Sequence, residues 1–297
     1  MRPYQFLPRV ATDERFHDPQ IDYATEAKPF PSECTSETPF LNLHGPNQFL
    51  PDSILPGHAS LVQDWFSACT ALSNSLTSAI EQALGVSAGS LTAFLGNDKD
   101  TGKGPAKLKP LPGVSEDKPL PYARMKTIRY PVGEDVDGFK RTMEDDEGEG
   151  VSIGVHAHRD GGWLTILATS VVAGLQVQDL DGTWIDVPHL EDSVVINFGQ
   201  QFEVVSQGLV NSATHRVLSN PKADRYSVAY FSMPALNSIM YPLNRSEFSP
   251  EVIKAYEEAE QARGGKGIVS DVTQNDLHAP GDPFGTIAWR GIYRSHP

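Results

Sequence analysis

The side chains best suited to inorganic chemistry lie in VHAHRDGGWLTIL, residues 155–167, where His156, His158 and Asp160 take alternate positions ahead of an apolar run. Alternate residues of a strand share a face. Three such residues on a straight strand cannot converge on one ion, because neighbours on that face stand roughly 7 Å apart. A bend at Asp-Gly-Gly brings His158 and Asp160 together and leaves His156 beside the site. His-x-Asp alone is more often a surface or hydrogen-bonded pair, so a third ligand must come from another strand. His17, His44 and His58 fall in an irregular N-terminal third, His189 in a turn, and His278 and His296 near the end. His215, in VNSATHRVLSN, lies inside a later β-type segment. Two imidazoles and one carboxylate with open positions opposite them form the ligand set of a non-haem Fe(II) facial triad.

A second constellation follows His215. HRVLSNPKADRYS reads as a hairpin turning near Lys222, with His215 opposite about Ala229. Arg225 and Ser227 then lie two to four residues along the neighbouring strand, roughly 7–13 Å away, and share a face. A guanidinium beside a hydroxyl makes a carboxylate clamp. A five-carbon dicarboxylate chelating the metal would present its far carboxylate at that reach. Taken alone, Arg-x-Ser reads as a surface strand pair.

These residues need a rigid frame, and the chain has the material for one. Its 297 residues, 39% hydrophobic, suffice for one large domain or two small ones without covalent staples. Cys34 and Cys69 lack metal or redox spacing, and Cys69 falls in a helical pattern as a buried thiol. No apolar run reaches membrane-spanning length, and the N-terminus lacks a signal-peptide core, so the expected setting is soluble and cytoplasmic. The net charge of -14 argues against nucleic acid as a partner. Much of it sits in residues 133–150, where eight acids face Lys140 and Arg141 without EF-hand spacing, as expected of a solvated loop.

Residues 1–58 read as extended loop. From His58, apolar residues at Leu61, Trp65, Ala68, Leu72, Leu76, Ala79, Ile80, Ala83 and Leu84 predict an amphipathic helix that Gly85 ends. GKGPAK, in the Gly/Pro/Lys-rich loop 96–120, is a poor phosphate loop, because no strand precedes it and prolines follow. From about residue 123, eight short β-type segments follow one another within about 110 residues, with DLDGT and NPKAD as turns. They predict an antiparallel sandwich or barrel. SPEVIKAYEEAEQARGG returns to helix.

From MKTIRYP to RYSVAYFSMP, including HRDGGWLTIL, AGLQVQDLDGTWIDVP, SVVINFG, HRV and RYS in order, the sequence resembles the Fe(II)/2-oxoglutarate-dependent dioxygenases of the isopenicillin N synthase-like superfamily. A weaker match runs through HGPNQFLPDSILPG and the helix after it. The resemblance implies a mainly β fold with flanking helices and a double-stranded β-helix (jelly-roll) core at 123–235. Residues 1–122 would be an irregular and helical region packed on that core, and 236–297 a helical and extended tail, all in one structural unit.

It further implies that His158, Asp160 and His215 bind Fe(II), and that Arg225 and Ser227, with Tyr130, hold 2-oxoglutarate, O2 being the second co-substrate. His156, Asn197, Trp163 and Phe231 are candidates for the surroundings of the metal or the substrate pocket; Trp163, Phe202 and Phe231 could be pocket walls, though core packing suits each of the three better. The implied reaction is hydroxylation, desaturation or cyclisation of a small metabolite, as in secondary metabolism. The alternatives are an oxidase that clamps its own substrate's carboxylate and a non-catalytic jelly-roll relative. Arg159 stands where the family usually has Thr, and Gln200 and Gln207-Gly208 replace the usual acidic residue and Asn-Gly. The family's usual opening strand with its GFF…NHG-like segment, and its usual C-terminal continuation, are not visible.

Overall fold

The computed structural model describes residues 38, 40–41, 49–96, 107–111, 118–132, 142–144, 150–264 and 281–295. Short runs of β-branched and aromatic residues between turns form nine strands among these residues, in two antiparallel sheets. The four-stranded sheet has the order β1 (Tyr122–Tyr130), β9 (Arg225–Met233), β4 (Leu164–Thr169), β7 (Val195–Phe198). The five-stranded sheet has the order β2 (Thr142–Glu144), β3 (Gly150–His158), β8 (His215–Leu218), β5 (Leu175–Gln178), β6 (Trp184–Asp186). From β3 onward the chain passes back and forth between the sheets, which is a double-stranded β-helix. Four α-helices accompany it among the described residues: α1 (His58–Leu84), α2 (Gln200–Val205), α3 (Pro250–Ala262) and α4 (Phe284–Ser295).

The expected hairpin between β8 and β9 does not form. Asn220 Oδ1 accepts from the amides of Lys222 and Ala223, so the turn is tight as anticipated. It carries the chain from one sheet to the other instead of folding it back. β8 is bonded to β3 and β5, and β9 to β1 and β4, so both strands already have partners on each edge. Asp224, at the end of the turn, accepts from Arg129 Nε and the Val132 amide, each at 2.8 Å, which fastens it to β1.

Helix α1 ends at Gly85, whose φ of 68° suits the left-handed cap, and of the predicted apolar stripe Trp65, Leu76, Ile80 and Leu84 pack against the core while other members do not. Leu61 and Leu72 are exposed, and the buried line is Cys69, Ser73, Thr77, Glu81 and Leu84. This helix lies on the outer face of the four-stranded sheet, where Tyr230 and Ser232 present hydroxyls, so a polar seam satisfies both partners. Ser73 donates to Ser232 at 2.7 Å, and the Thr70 and Tyr230 hydroxyls lie 2.8 Å apart. Glu81 accepts the amides of Gly89, Leu91 and Thr92 and so closes the turns that follow the helix.

One apolar cluster joins α1 (Leu84), the short 3-10 turn after it (Phe94, Leu95), Trp163, Leu164, Phe202, Leu236 and α4 (Phe284, Ile287). Cys69 is a buried free thiol, as expected. Of the acidic run, only β2 and Gly150 fall within the described residues, and most of residues 1–48, Cys34 and most of GKGPAK fall outside them. No helix among the described residues is long and apolar enough to cross a membrane.

Candidate metal and carboxylate site

His158 is the last residue of β3 and His215 the first of β8, and the two are direct cross-strand partners with ring centroids 4.2 Å apart. The register of β3 against β8 shifts twice, between Ile153 and Val155 and between Val155 and His158. Such bulges re-aim side chains, and simple alternation fails here. His156, two residues before a ring that faces inward, is exposed. Its contribution is its carbonyl, 2.9 Å from His158 Nδ1. Ala213 provides the same contact to His215 Nδ1 at 3.0 Å. A ring that donates Nδ1–H to a carbonyl keeps its lone pair on Nε2. Both free Nε2 atoms lie 3.7 Å from the same oxygen, Asp160 Oδ1.

Asp160 sits just past the end of β3, in a loop held by backbone bonds to the start of α2. Its carbonyl accepts from the Gln200 amide at 2.7 Å, and the carbonyls of Gly162 and Trp163 accept from Gln201 and Gly199. The two glycines of the predicted bend differ in what they supply. A Cβ at Gly161 would meet open space, whereas one at Gly162 would lie 2.8 Å from the Ser232 carbonyl and 2.5 Å from Met233 Sδ. A Cβ at Gly199 would lie 2.1 Å from the Gly162 carbonyl oxygen. The loop thus depends on two backbones in contact.

Asp160 Oδ2 accepts from Thr165 Oγ1 at 2.6 Å and from Asn197 Nδ2 at 3.0 Å. Burial alone would raise the Asp160 pKa, but the His215 and His158 charges and these two hydrogen bonds outweigh it and hold the carboxyl below its ordinary value. Burial, with the His215 charge, holds His158 below its ordinary value, against the opposing pull of Asp160. Carboxylate and neutral imidazole are the forms that bind a cation. The three ligand atoms lie within 4.8 Å of one another, and this is the one such group found among the described residues.

The inner face of β9 carries the second constellation. Arg225 and Ser227 are 1% and 3% exposed, while Tyr226 between them is 48% exposed. Arg225 Nε and Nη1 and Ser227 Oγ have no hydrogen-bond partner. Among the described residues no carboxylate pairs with this guanidinium. Tyr130, directly opposite on β1, is hydrogen-bonded to it and holds its ring centroid 5.0 Å from Cζ. Leaving such donors buried and unmet costs about 1–3 kcal/mol each, which an anionic ligand would recover. Gly174 lies against both the Leu218 carbonyl and Arg225 Cδ, so the guanidinium stem is level with Leu218. That is three residues along β8 from His215, roughly 10 Å at strand rise. Leu175, Val217, Leu167 and Val195 line the interval with Tyr130. The triad and the orphaned donors therefore suit a metal-chelating dicarboxylate at both ends.

The remaining candidates divide. Asn197 touches Asp160, and Phe231 lies on the inner face opposite Thr165. Trp163 is not a pocket wall. It is fully buried between Phe94 and Phe202 and donates to Thr77 on α1, because the loop turns it outward into the helix-covered core. Phe202 is likewise core. One side chain of the site, Thr165, escaped the sequence reading, and so did the contacts of Arg159. Thr165 was hidden as a polar residue in an apolar strand. Arg159 places Nε 2.9 Å from the Ser212 carbonyl and its guanidinium on Glu203, whose carboxylate also accepts the Ser212 amide.

Residues 125–234 match the family model of the 2OG-Fe(II) oxygenase superfamily, and the fold and the His-Asp-His group agree with that match. Among curated proteins, a 1-aminocyclopropane-1-carboxylate oxidase of Prunus mume is 42% identical over 90 residues, 30% of this chain and 28% of that protein. A 2-oxoglutarate-dependent dioxygenase, frbJ, of Dothideomycetidae sp. (strain 11243) is 27% identical over 94% of this chain and 65% of its own length. The chain thus spans less than two thirds of the length of these relatives. Among solved structures, a full-length Neurospora crassa protein in complex with alpha-KG and 5-formyluracil has the same fold, with a TM-score of 0.51 at 24% identity over 72% of this chain and 64% of that one.

Proposed function

We propose that this protein is a non-haem Fe(II)/2-oxoglutarate-dependent dioxygenase that hydroxylates, desaturates or cyclises a small organic metabolite. The observation that carries the reading is the buried Arg225–Ser227 pair with unmet donors, three strand residues from a cluster of two imidazoles and one carboxylate. In this reading Nε2 of His158, Nε2 of His215 and Oδ1 of Asp160 would hold the metal. When bound, ferrous iron with 2-oxoglutarate and O2 supplies the oxidation of a C–H bond that no side chain can perform, with succinate and CO2 as co-products.

The protein's own share is placement. Arg225 and Ser227 grip the distal carboxylate with charge-assisted hydrogen bonds, and Tyr130 holds the guanidinium in position. Leu175, Val217 and Val195 keep water from the chelate. The side of the partly buried His158 that stays open leaves a way in for the substrate.

Anaerobic titration of the protein with Fe(II) and 2-oxoglutarate tests the proposal through the weak visible charge-transfer band of the chelate. The band is expected in the wild type and is expected to vanish in Arg225→Gln at the same 2-oxoglutarate concentration. No band in iron-loaded wild-type protein would overturn it. Oxygen uptake that proceeds fully without 2-oxoglutarate would point to an oxidase gripping its own substrate's carboxylate.

A further inference from the structure

The barrel has a second end, away from the metal ligands, and it is not packed shut. β4 ends there at Thr169, β5 begins there at Leu175, β7 at Val195 and β9 at Arg225. A cavity of about 230 Å³ lies among these strand ends and the loops beside them, and Arg225 is part of its wall. His158, Asp160, His215, Tyr130 and Ser227 are not. Much of the wall is apolar, with Leu175, Val187 and Val195 in one cluster. Besides Arg225 its polar members include Thr169 and His189, whose Oγ1 and Nδ1 lie 3.3 Å apart. His189 is exposed, so the cavity opens to solvent on that side. Val171 and Leu190, each next in the chain to a wall residue, are 78% and 63% exposed. An apolar cavity with a few placed polar groups is the usual form of a small-molecule site.

The Arg225 guanidinium has donors to spare for this side. Its two unmet nitrogens, Nε and Nη1, lie on different edges of the planar fork, so one carboxylate does not span both. In the oxygenase reading, Nη1 and the Ser227 hydroxyl serve the ligand on the metal side, which leaves Nε. That nitrogen is bonded to Cδ, and Cδ lies against Gly174 of the cavity wall, where an added Cβ would stand 3.5 Å from it. We propose that the cavity is a second carboxylate site, which takes a monocarboxylate with a short aliphatic chain. Its charged head meets Arg225 Nε, and its chain lies along Val187 and Val195 toward the exposed mouth. The site needs no metal. Two anions on one guanidinium weaken each other, so its occupant acts as a brake on the co-substrate without touching the iron ligands.

Octanoate and octanamide are the probes, and their binding to the metal-free full chain is measured by calorimetry. Octanoate should bind about tenfold more tightly than octanamide, as expected of a charge-assisted hydrogen bond. Arg225→Gln should abolish that preference. Val187→Phe fills the cavity from a residue with no part in the clamp, and should abolish octanoate binding while the Fe(II)/2-oxoglutarate band persists. Ala173→Leu, from another part of the wall, repeats the test if Val187→Phe does not fold. Saturating octanoate should raise the 2-oxoglutarate concentration that half-forms the band severalfold. Equal binding of octanoate and octanamide overturns the site, as does octanoate binding that survives the filled cavity or leaves the half-point unmoved. Loss of the band together with octanoate binding in the filled variant also overturns it, because the cavity would then belong to the co-substrate's own pocket. In protein that never forms the band, an octanoate preference lost in Arg225→Gln and in the filled variant sustains the site and overturns the oxygenase reading alone.

Discussion

Thr165 Oγ1 lies 2.6 Å from Asp160 Oδ2, and this contact decides which carboxylate oxygen faces the imidazoles. With Asn197 on the same atom, Oδ2 is saturated, and Oδ1 alone is turned to the two Nε2 atoms. Outer partners of this kind typically carry a tenfold to hundredfold share of metal affinity. Thr165→Val keeps the shape and removes the donor. Its affinity for Co(II), measured against a competing chelator, is expected to fall by about tenfold, while His215→Ala should lose measurable binding.

Gly199→Ala is expected to disturb the site without touching a ligand. The new methyl would lie 2.1 Å from the Gly162 carbonyl oxygen, so the loop carrying Asp160 must move. Far-ultraviolet circular dichroism should stay that of the native protein, while Co(II) affinity falls by more than in Thr165→Val. Unchanged affinity would show that the contact of the two backbones does not set the Asp160 position.

Arg159 and Glu203 are an ion pair with side chains 9% and 11% exposed. Breaking one partner of a buried pair typically costs about 3–5 kcal/mol, whereas apolar replacement of both is often neutral. Arg159→Ala should therefore lower the unfolding free energy in urea by about 3 kcal/mol. The double variant Arg159→Met, Glu203→Leu should recover much of that loss. Ser212, bonded to both partners, stands three residues before His215, so the single variant should also weaken metal binding.

Acid should destabilise the metal-free protein through the same groups. His158 titrates below its ordinary 6.5 in the folded state, through burial and the His215 charge. Asp160 titrates below 3.8, because the charges of His215 and His158 and two hydrogen bonds overcome its burial. In each case the unfolded chain takes up its proton at higher pH than the folded chain. The His158 contribution is whole above pH 6.5 and is lost as pH falls through its lowered value, and that of Asp160 is lost below 3.8. The melting temperature should drop between about pH 7 and pH 5, and His158→Gln should flatten that portion of the profile.

The histidine and aspartate positions were legible in the sequence because metal chemistry narrows residue types and because strand alternation, with a glycine bend, limits who can meet whom. Arg225 and Ser227 share a buried face as their spacing required. The same arithmetic misled at β8 and β9, where a short turn looked like a hairpin, because turn chemistry does not say which sheet the next strand joins. At α1 it held in part: Trp65, Leu76, Ile80 and Leu84 pack as the periodicity required, but it also passed through the exposed Leu61 and Leu72 while the sheet offered hydroxyls to Ser73 and Thr70. His156 turned outward because bulges in β3 broke the period of two, and local sequence carries no clear mark of a bulge. Thr165 and Arg159 matter through partners distant in the chain, which no single stretch displays.

The triad draws on both walls of the barrel. His158 and His215 belong to the five-stranded sheet, whereas the Asp160 carboxylate is steadied by Thr165 and Asn197 of the four-stranded one. A cation seated among them would act as a rivet through two plates, joined on one side by imidazole and on the other by a braced carboxylate. Loading the site should then slow the parting of the sheets themselves, so that a protease reaching the barrel only when it gapes would find fewer openings in the metal-bound protein.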